Sequence, residues 1–215
     1  MLFVPWWALV SSGIAPVALV AGWWVAEALQ GPAYDPVTQT ISVLAAVGAP
    51  GYWVMTSTLV TLGVCHLLTA RGLRPAALAG RLTLAGGGLA AIALTLVPAP
   101  VSGGSLRHGA VVVIGFSLLA VWPVLAAGRG AGVPWGLRPV PAVLVSALMC
   151  AGAGWFVLTL MDHGPTGVAE RVLTEAQTLW PLIVVVSCSR GGPAHAHATS
   201  RSPKQPQGDS GEREG

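Results

Sequence analysis

Six long apolar stretches divide this chain of 215 residues, and they confine nearly all of its charges to short connecting segments. The stretches cover residues of about 6–28, 52–70, 82–97, 109–127, 140–160 and 172–189. A helix needs about 20 apolar residues to cross about 30 Å of hydrocarbon, because each residue adds about 1.5 Å. Charged residues make up 9% of the chain and hydrophobic residues 53%. This composition is typical of a membrane protein rather than of a water-soluble domain.

The stretches are expected to be helices rather than strands. Backbone polar groups in lipid must find partners within their own segment, and a membrane barrel would show short stretches of alternating polarity. The stretch from Ala110 to Ala127 shows no such alternation. We therefore predict an all-α polytopic membrane protein, with a six-transmembrane-helix bundle over residues 1–189. Residues 190–215 have little to bury and are predicted to form a disordered cytoplasmic tail.

The distribution of Lys and Arg predicts the orientation of the bundle. Nine of them fall in the segments after the second, fourth and sixth stretches, and only two fall on the opposite side. Basic residues are retained in the cytoplasm during insertion, so both termini are predicted to be cytoplasmic. The chain has one Lys and no Asn, which suggests a GC-rich bacterial genome. The expected location is the bacterial plasma membrane, with membrane lipids as partners and no nucleic acid.

The most distinctive connecting segment is the predicted outer loop over residues 31–51. Asp35-Pro36 favours a turn, since the residue before proline is pushed out of the helical region. Thr38 or Thr40 could then cap a short helix from Ser42 to Val47. A structured loop at the outer membrane surface is a candidate binding surface.

Two carboxylates are embedded in the apolar stretches close to this loop. Glu27 lies in the last turn of the first stretch, and Glu175 about one turn into the sixth. A carboxylate in a span is costly unless a partner or water meets it, and Arg107 and Arg171 are the expected ion-pair partners. The candidate ligand-binding residues on this side are Glu27, Tyr34, Asp35, Thr40, Ser42, His108 and Glu175.

Motifs for catalysis are absent from the sequence. His108 and His163 are separated by a helical hairpin, and neither an HExxH motif nor a GxSxG elbow occurs. The leading interpretation is therefore a non-enzymatic protein whose outer face binds a lipid, a small ligand or a partner, with no resident metal or cofactor. Two alternatives stay open: a metal-dependent hydrolase with its site on the outer face, and a structural subunit of a membrane assembly.

Small residues cluster in the third stretch, from Gly86 to Ala91. Small residues at four-residue spacing let helices in lipid approach closely. They predict tight packing within the bundle or, alternatively, a homodimer through this face.

Three segments together resemble a known family. They are YDPVTQTISVLAAVGAPGYWVM, GVCHLLTARGLRP and VPAPVSGGSLRHG, which ends at His108 and Gly109. They resemble the DUF998 family of bacterial and archaeal membrane proteins, and the likeness extends over about residues 6–189. The resemblance implies six helices and a polar outer face, and it implies no activity. An acidic residue expected before the His is missing here, which argues against a His–carboxylate pair within that loop.

Overall fold

The computed structural model describes residues 4–100 and 103–190, and all regular structure within them is helical. The α-helices are α1 (Trp6–Gln30), α2 (Ile41–Leu44), α3 (Tyr52–Gly72), α4 (Leu78–Leu94), α5 (Leu106–Ala126), α6 (Pro139–Met161) and α7 (Thr166–Arg190). A short 3₁₀ helix, Trp135–Leu137, lies between α5 and α6. All but the first residue, Arg190, of the predicted cytoplasmic tail lies outside the described residues.

Long apolar helices dominate the fold, as expected for a membrane protein. Five of the described helices, α1, α3, α5, α6 and α7, are long and apolar enough to cross a membrane. The helix α4 is apolar but has only 17 residues. Large apolar side chains on the outer surface of α6, such as Leu144 and Leu148, are exposed. Such a surface is suited to hydrocarbon rather than to water.

Two helices differ from their predicted bounds. The third stretch was predicted at 82–97, whereas α4 covers Leu78–Leu94. The sixth was predicted to begin near residue 172, whereas α7 begins at Thr166. The predicted start lies too late in the chain because Glu170 and Arg171 are charged and were therefore excluded from the apolar stretch. Both charges are bound by the first outer loop, so the helix continues through them. Glu175 consequently lies more than two turns into α7, not one.

The helices α1, α3, α4 and α5 pack against one another in chain order, and α7 returns to pack against α1. The helices α5 and α7 meet at few points, and α6 packs against both of them from outside. Five helices therefore surround the centre of the bundle, and α6 covers the gap between α5 and α7. The short helix α2 contacts α1 and α7.

The small residues of α4 allow its close contacts with α3 and α5. A Cβ atom at Gly88 would lie 2.7 Å from the carbonyl oxygen of Gly63, and one at Gly87 would lie 2.5 Å from the side chain of Leu119. These glycines therefore permit packing within the chain, which is one of the two interpretations of the Gly86-to-Ala91 stretch. The homodimer through the same face stays a prediction.

Candidate functional site

The loop over residues 31–51, which was predicted to be the first outer loop, begins with a turn organised by Asp35. One carboxylate oxygen accepts a hydrogen bond from the backbone N–H of Val37 at 3.0 Å, and the other accepts one from the hydroxyl of Thr38 at 2.6 Å. These two bonds lower the pKa of Asp35 below its ordinary value. The turn bonds are therefore present at neutral pH and weaken only when the pH falls through that lowered pKa. Asp35 itself is exposed and serves the loop rather than a pocket.

The predicted helix in this loop is present but shorter, since α2 covers Ile41–Leu44. The prediction that a threonine hydroxyl caps it is wrong. Thr40 occupies the position before the helix, but its side chain makes no capping hydrogen bond, and the hydroxyl of Thr38 binds Asp35. A carboxylate from a different part of the chain takes this role.

That carboxylate is Glu170 of α7, which is only 4% exposed. It accepts hydrogen bonds from the backbone N–H of Ile41 and from the hydroxyl of Ser42, the latter at 3.3 Å. A carboxylate at this position satisfies backbone donors that the start of a helix leaves without partners. Glu170 therefore fixes α2 against α7. It was not among the predicted site residues.

The neighbouring residue, Arg171, binds the earlier half of the loop. Its guanidinium pairs with Glu27 of α1 and donates to the hydroxyl of Tyr34 at 2.8 Å and to the carbonyl oxygen of Pro36 at 3.0 Å. The guanidinium also lies 5.7 Å from the centre of the Trp23 ring, within the range of a cation–π contact. Of the two expected ion-pair partners, Arg171 pairs with Glu27, whereas Arg107 forms no ion pair within the described residues. Arg171 thus joins α1, α7 and the loop.

Tyr34 is buried beneath this arginine. Its hydroxyl donates towards the carbonyl oxygens of Gln39 and Thr40, each at 3.2 Å. Burial raises the pKa of Tyr34 above its ordinary value, and this effect outweighs the opposing influence of Arg171. The phenol therefore stays protonated at neutral pH and keeps its donor role in the loop.

His108 meets the loop from the first turn of α5. Its Nδ1 lies 2.9 Å from the carbonyl oxygen of Val97, and its Nε2 lies 3.2 Å from the hydroxyl of Ser42. A carbonyl oxygen can only accept, so Nδ1 carries the proton in the neutral imidazole and Nε2 is an acceptor. The hydroxyl of Ser42 consequently lies between two acceptors, His108 and Glu170. The carboxylate near His108 thus comes from α7 and not from its own loop.

Beneath Ser42 and His108 the structure has a cavity of about 90 Å³. Its polar side chains come from α2, α7 and the first turn of α5, and its other walls are apolar side chains of α1, α3, α4 and α5. The polar lining residues are Ser42, His108, Glu170, Thr174, Gln177 and Thr178, and the apolar ones include Leu19, Met55, Leu62, Ala91 and Leu119. A mostly apolar cavity with a small number of polar groups is the usual form of a binding site for small molecules.

The predicted site residues do not all meet in this cavity. Only Ser42 and His108 line it, whereas Glu27 and Tyr34 bind Arg171 to one side. One oxygen of Glu175, Oε2, is buried without a hydrogen-bond partner in the described chain. Within residues 4–100 and 103–190, no group of three or more His, Cys, Asp or Glu side chains is placed to hold a metal ion.

The sequence contained a signal for the residues that were missed. Ala169, Leu173 and Gln177 are spaced by four residues and are buried on one face of α7. This spacing extends the amphipathic pattern upstream of the apolar stretch and would place Glu170 and Arg171 on the helix.

Close contact between the loop and α7 depends on Gly167. A Cβ atom there would lie 2.2 Å from the carbonyl oxygen of Gln39 and 2.4 Å from that of Pro36. Because both neighbours are backbone atoms, Gly167→Ala should displace the loop and lower the free energy of unfolding by about 1–3 kcal/mol. Unfolding of the purified protein in detergent micelles measures this.

The matched control is Gly154→Ala on the exposed face of α6, where a Cβ atom would meet nothing within 4 Å. Alanine there should leave stability unchanged or raise it by less than about 1 kcal/mol. Equal losses for both variants would contradict the close contact at Gly167.

Comparison with known proteins gives one match. The DUF998 family, whose description is 'protein of unknown function', matches residues 14–187. No curated protein and no solved structure matches the chain. The arrangement of the loop, α7 and the cavity therefore has to be interpreted from its own chemistry.

Proposed function

Because the chain belongs to the DUF998 family, for which no function is described, we propose one from its own geometry: it binds a lipid-like amphiphile in the cavity beneath its first outer loop. In this proposal it is a six-span protein of the bacterial plasma membrane with both termini in the cytoplasm. The helix α4 is the sixth span, since its 17 residues correspond to about 25 Å, at the short end of the range for a spanning helix.

The observation that supports this function is the polarity gradient of the cavity. Along α5 its lining extends from His108 to Leu119, a distance of about 16 Å along the helix axis. The side formed by α2, α7 and the first turn of α5 offers polar side chains, and α1, α3 and α4 offer only apolar contacts. An amphiphile would place its head group against the polar side chains of α7 and its chain among the apolar side chains of the other helices.

The loop gives this cavity a cover. Ile41, Ser42 and Ala45 line the cavity from the outer side, and α7 holds the loop through Glu170 and Arg171. Residues of both α5 and α7 line the cavity. These two helices have few direct contacts with each other, which leaves space for it.

A cavity-filling substitution tests the proposal. Ala91 is 8% exposed and lines the cavity, so Ala91→Leu should occupy the space of the bound chain. We expect the wild-type protein, purified in mild detergent, to retain lipid that mass spectrometry detects, and Ala91→Leu to lose most of it. Equal amounts of lipid in both proteins would overturn the proposal.

The control is the same change at Ala147, which is exposed on α6 and distant from the lining residues in the sequence. Ala147→Leu should retain lipid as the wild type does.

The molar mass of the same preparations also tests the separate prediction of a homodimer through Gly86 to Ala91.

A further inference from the structure

We infer that the head group of the bound amphiphile is uncharged and donates a hydrogen bond, as the hydroxyl of a long-chain alcohol or an acylglycerol does. This inference rests on the proposed function and specifies its ligand. It follows from the lining of the cavity, where several hydrogen-bond acceptors are free, whereas the side-chain donors, apart from the second N–H of Gln177, are already used.

Gln177 is the first of these acceptors. It is 1% exposed and lines the cavity. Its Nε2 donates to the carbonyl oxygen of Phe116 at 3.0 Å. Since Phe116 offers an acceptor, the amide nitrogen must face it, and Oε1 faces the other way. Oε1 has no hydrogen-bond partner in the described chain. A buried amide oxygen without a partner is costly, and a hydroxyl from a ligand would satisfy it.

The neighbouring hydroxyl groups also have their protons engaged. Thr174 donates to the carbonyl oxygen of Glu170 at 2.8 Å, and Thr178 donates to that of Glu175 at 3.0 Å. The single proton of the Ser42 hydroxyl is directed to Glu170 or His108. Each of these oxygens can still accept a hydrogen bond, but none has a proton to spare. The cavity therefore matches a donor.

The charges around the cavity oppose an anionic head group. Glu170 is the only Asp, Glu, Lys or Arg among the described residues that line it. The neighbouring cation, Arg171, is directed to Glu27, Tyr34 and the loop carbonyls instead. A phosphate or carboxylate would therefore be desolvated beside a carboxylate without a cation to compensate it. Phospholipid head groups do not fit this lining.

The test compares four probes with the same chain on the purified wild-type protein: dodecanol, 1-methoxydodecane, dodecanoate and dodecyl phosphate. Binding is followed as the rise in unfolding temperature with probe concentration. We expect dodecanol to bind most tightly. The ether lacks the donor and should bind about two- to tenfold more weakly, the usual effect of one hydrogen bond. The two anions should bind more weakly still. Equal or tighter binding of the ether or of either anion would overturn the inference.

Two variants separate this inference from the proposed function. Gln177→Leu should bind dodecanol about two- to tenfold more weakly and leave the ether unaffected; unchanged dodecanol binding would contradict the inference. If the four probes bind equally and Ala91→Leu abolishes that binding, only the head-group inference fails. If no probe binds in a way that Ala91→Leu reduces, the proposed function itself fails.

Discussion

Replacing Arg171 by Met should lower the free energy of unfolding by about 3–5 kcal/mol, the usual loss when one partner of a buried ion pair is removed. The change leaves Glu27 without its cation and removes the donors to Tyr34 and the loop carbonyls. Both charged side chains are largely buried, at 14% and 23% exposure, so solvent screens the pair only weakly. Unfolding of the purified protein in detergent micelles measures the loss.

A double variant identifies the cause. Glu27→Gln combined with Arg171→Met removes both charges, so it should be more stable than Arg171→Met alone, because no uncompensated carboxylate remains. The control is Arg107→Met, the same change at an exposed residue at the start of α5, which should alter stability by less than about 0.5 kcal/mol. A double variant less stable than Arg171→Met would show that the ion pair does not account for the loss.

Glu170→Ala should release the second half of the loop. The change removes the acceptor for the N–H of Ile41 and for the hydroxyl of Ser42, and each buried donor without a partner costs about 1–3 kcal/mol. Part of this cost is offset because a buried carboxylate no longer has to be desolvated. We expect a net loss of about 2 kcal/mol, and faster hydrogen exchange of the backbone amides in residues 40–46.

The matched control is Glu175→Ala, one and a half turns along the same helix, whose side chain makes no hydrogen bond to the loop. It should leave exchange in residues 40–46 at the wild-type rate. Similar acceleration in both variants would mean that Glu170 acts on the stability of α7 as a whole and not on α2.

The helices could be predicted because their signal is local. Each apolar stretch shows its character within its own 20 residues, and all six stretches contain a helix in the structure. The family resemblance was also carried by contiguous residues, and the match over residues 14–187 confirms it. Boundaries were less predictable, because a charged residue ends an apolar stretch in the sequence even where a distant partner lets the helix continue. The start of α7 is the example.

The site was predictable only in part for a related reason. The order of the loops predicts that residues 31–51 and His108 lie at the same end of the bundle. Charges at the same depth predict that Arg171 pairs with a carboxylate such as Glu27. The role of Glu170 depends on an N–H of Ile41, 129 residues earlier in the chain, and no local pattern records that contact. The cavity depends on how α1, α3, α4, α5 and α7 pack around it, which is a property of the assembled bundle and not of any one segment.

The hydrogen bonds from α7 to the loop over residues 31–51 also determine when that loop can fold during synthesis. The loop directly follows α1, yet the side chains that bind it, Glu170 and Arg171, belong to α7, which is synthesised much later. A growing chain released into the membrane helix by helix must therefore keep residues 31–51 without those partners until α7 has been inserted. The loop can therefore reach its final structure only after α7 has packed against α1. In a chain truncated before Thr166, proteases should cleave this loop more readily than in the full chain.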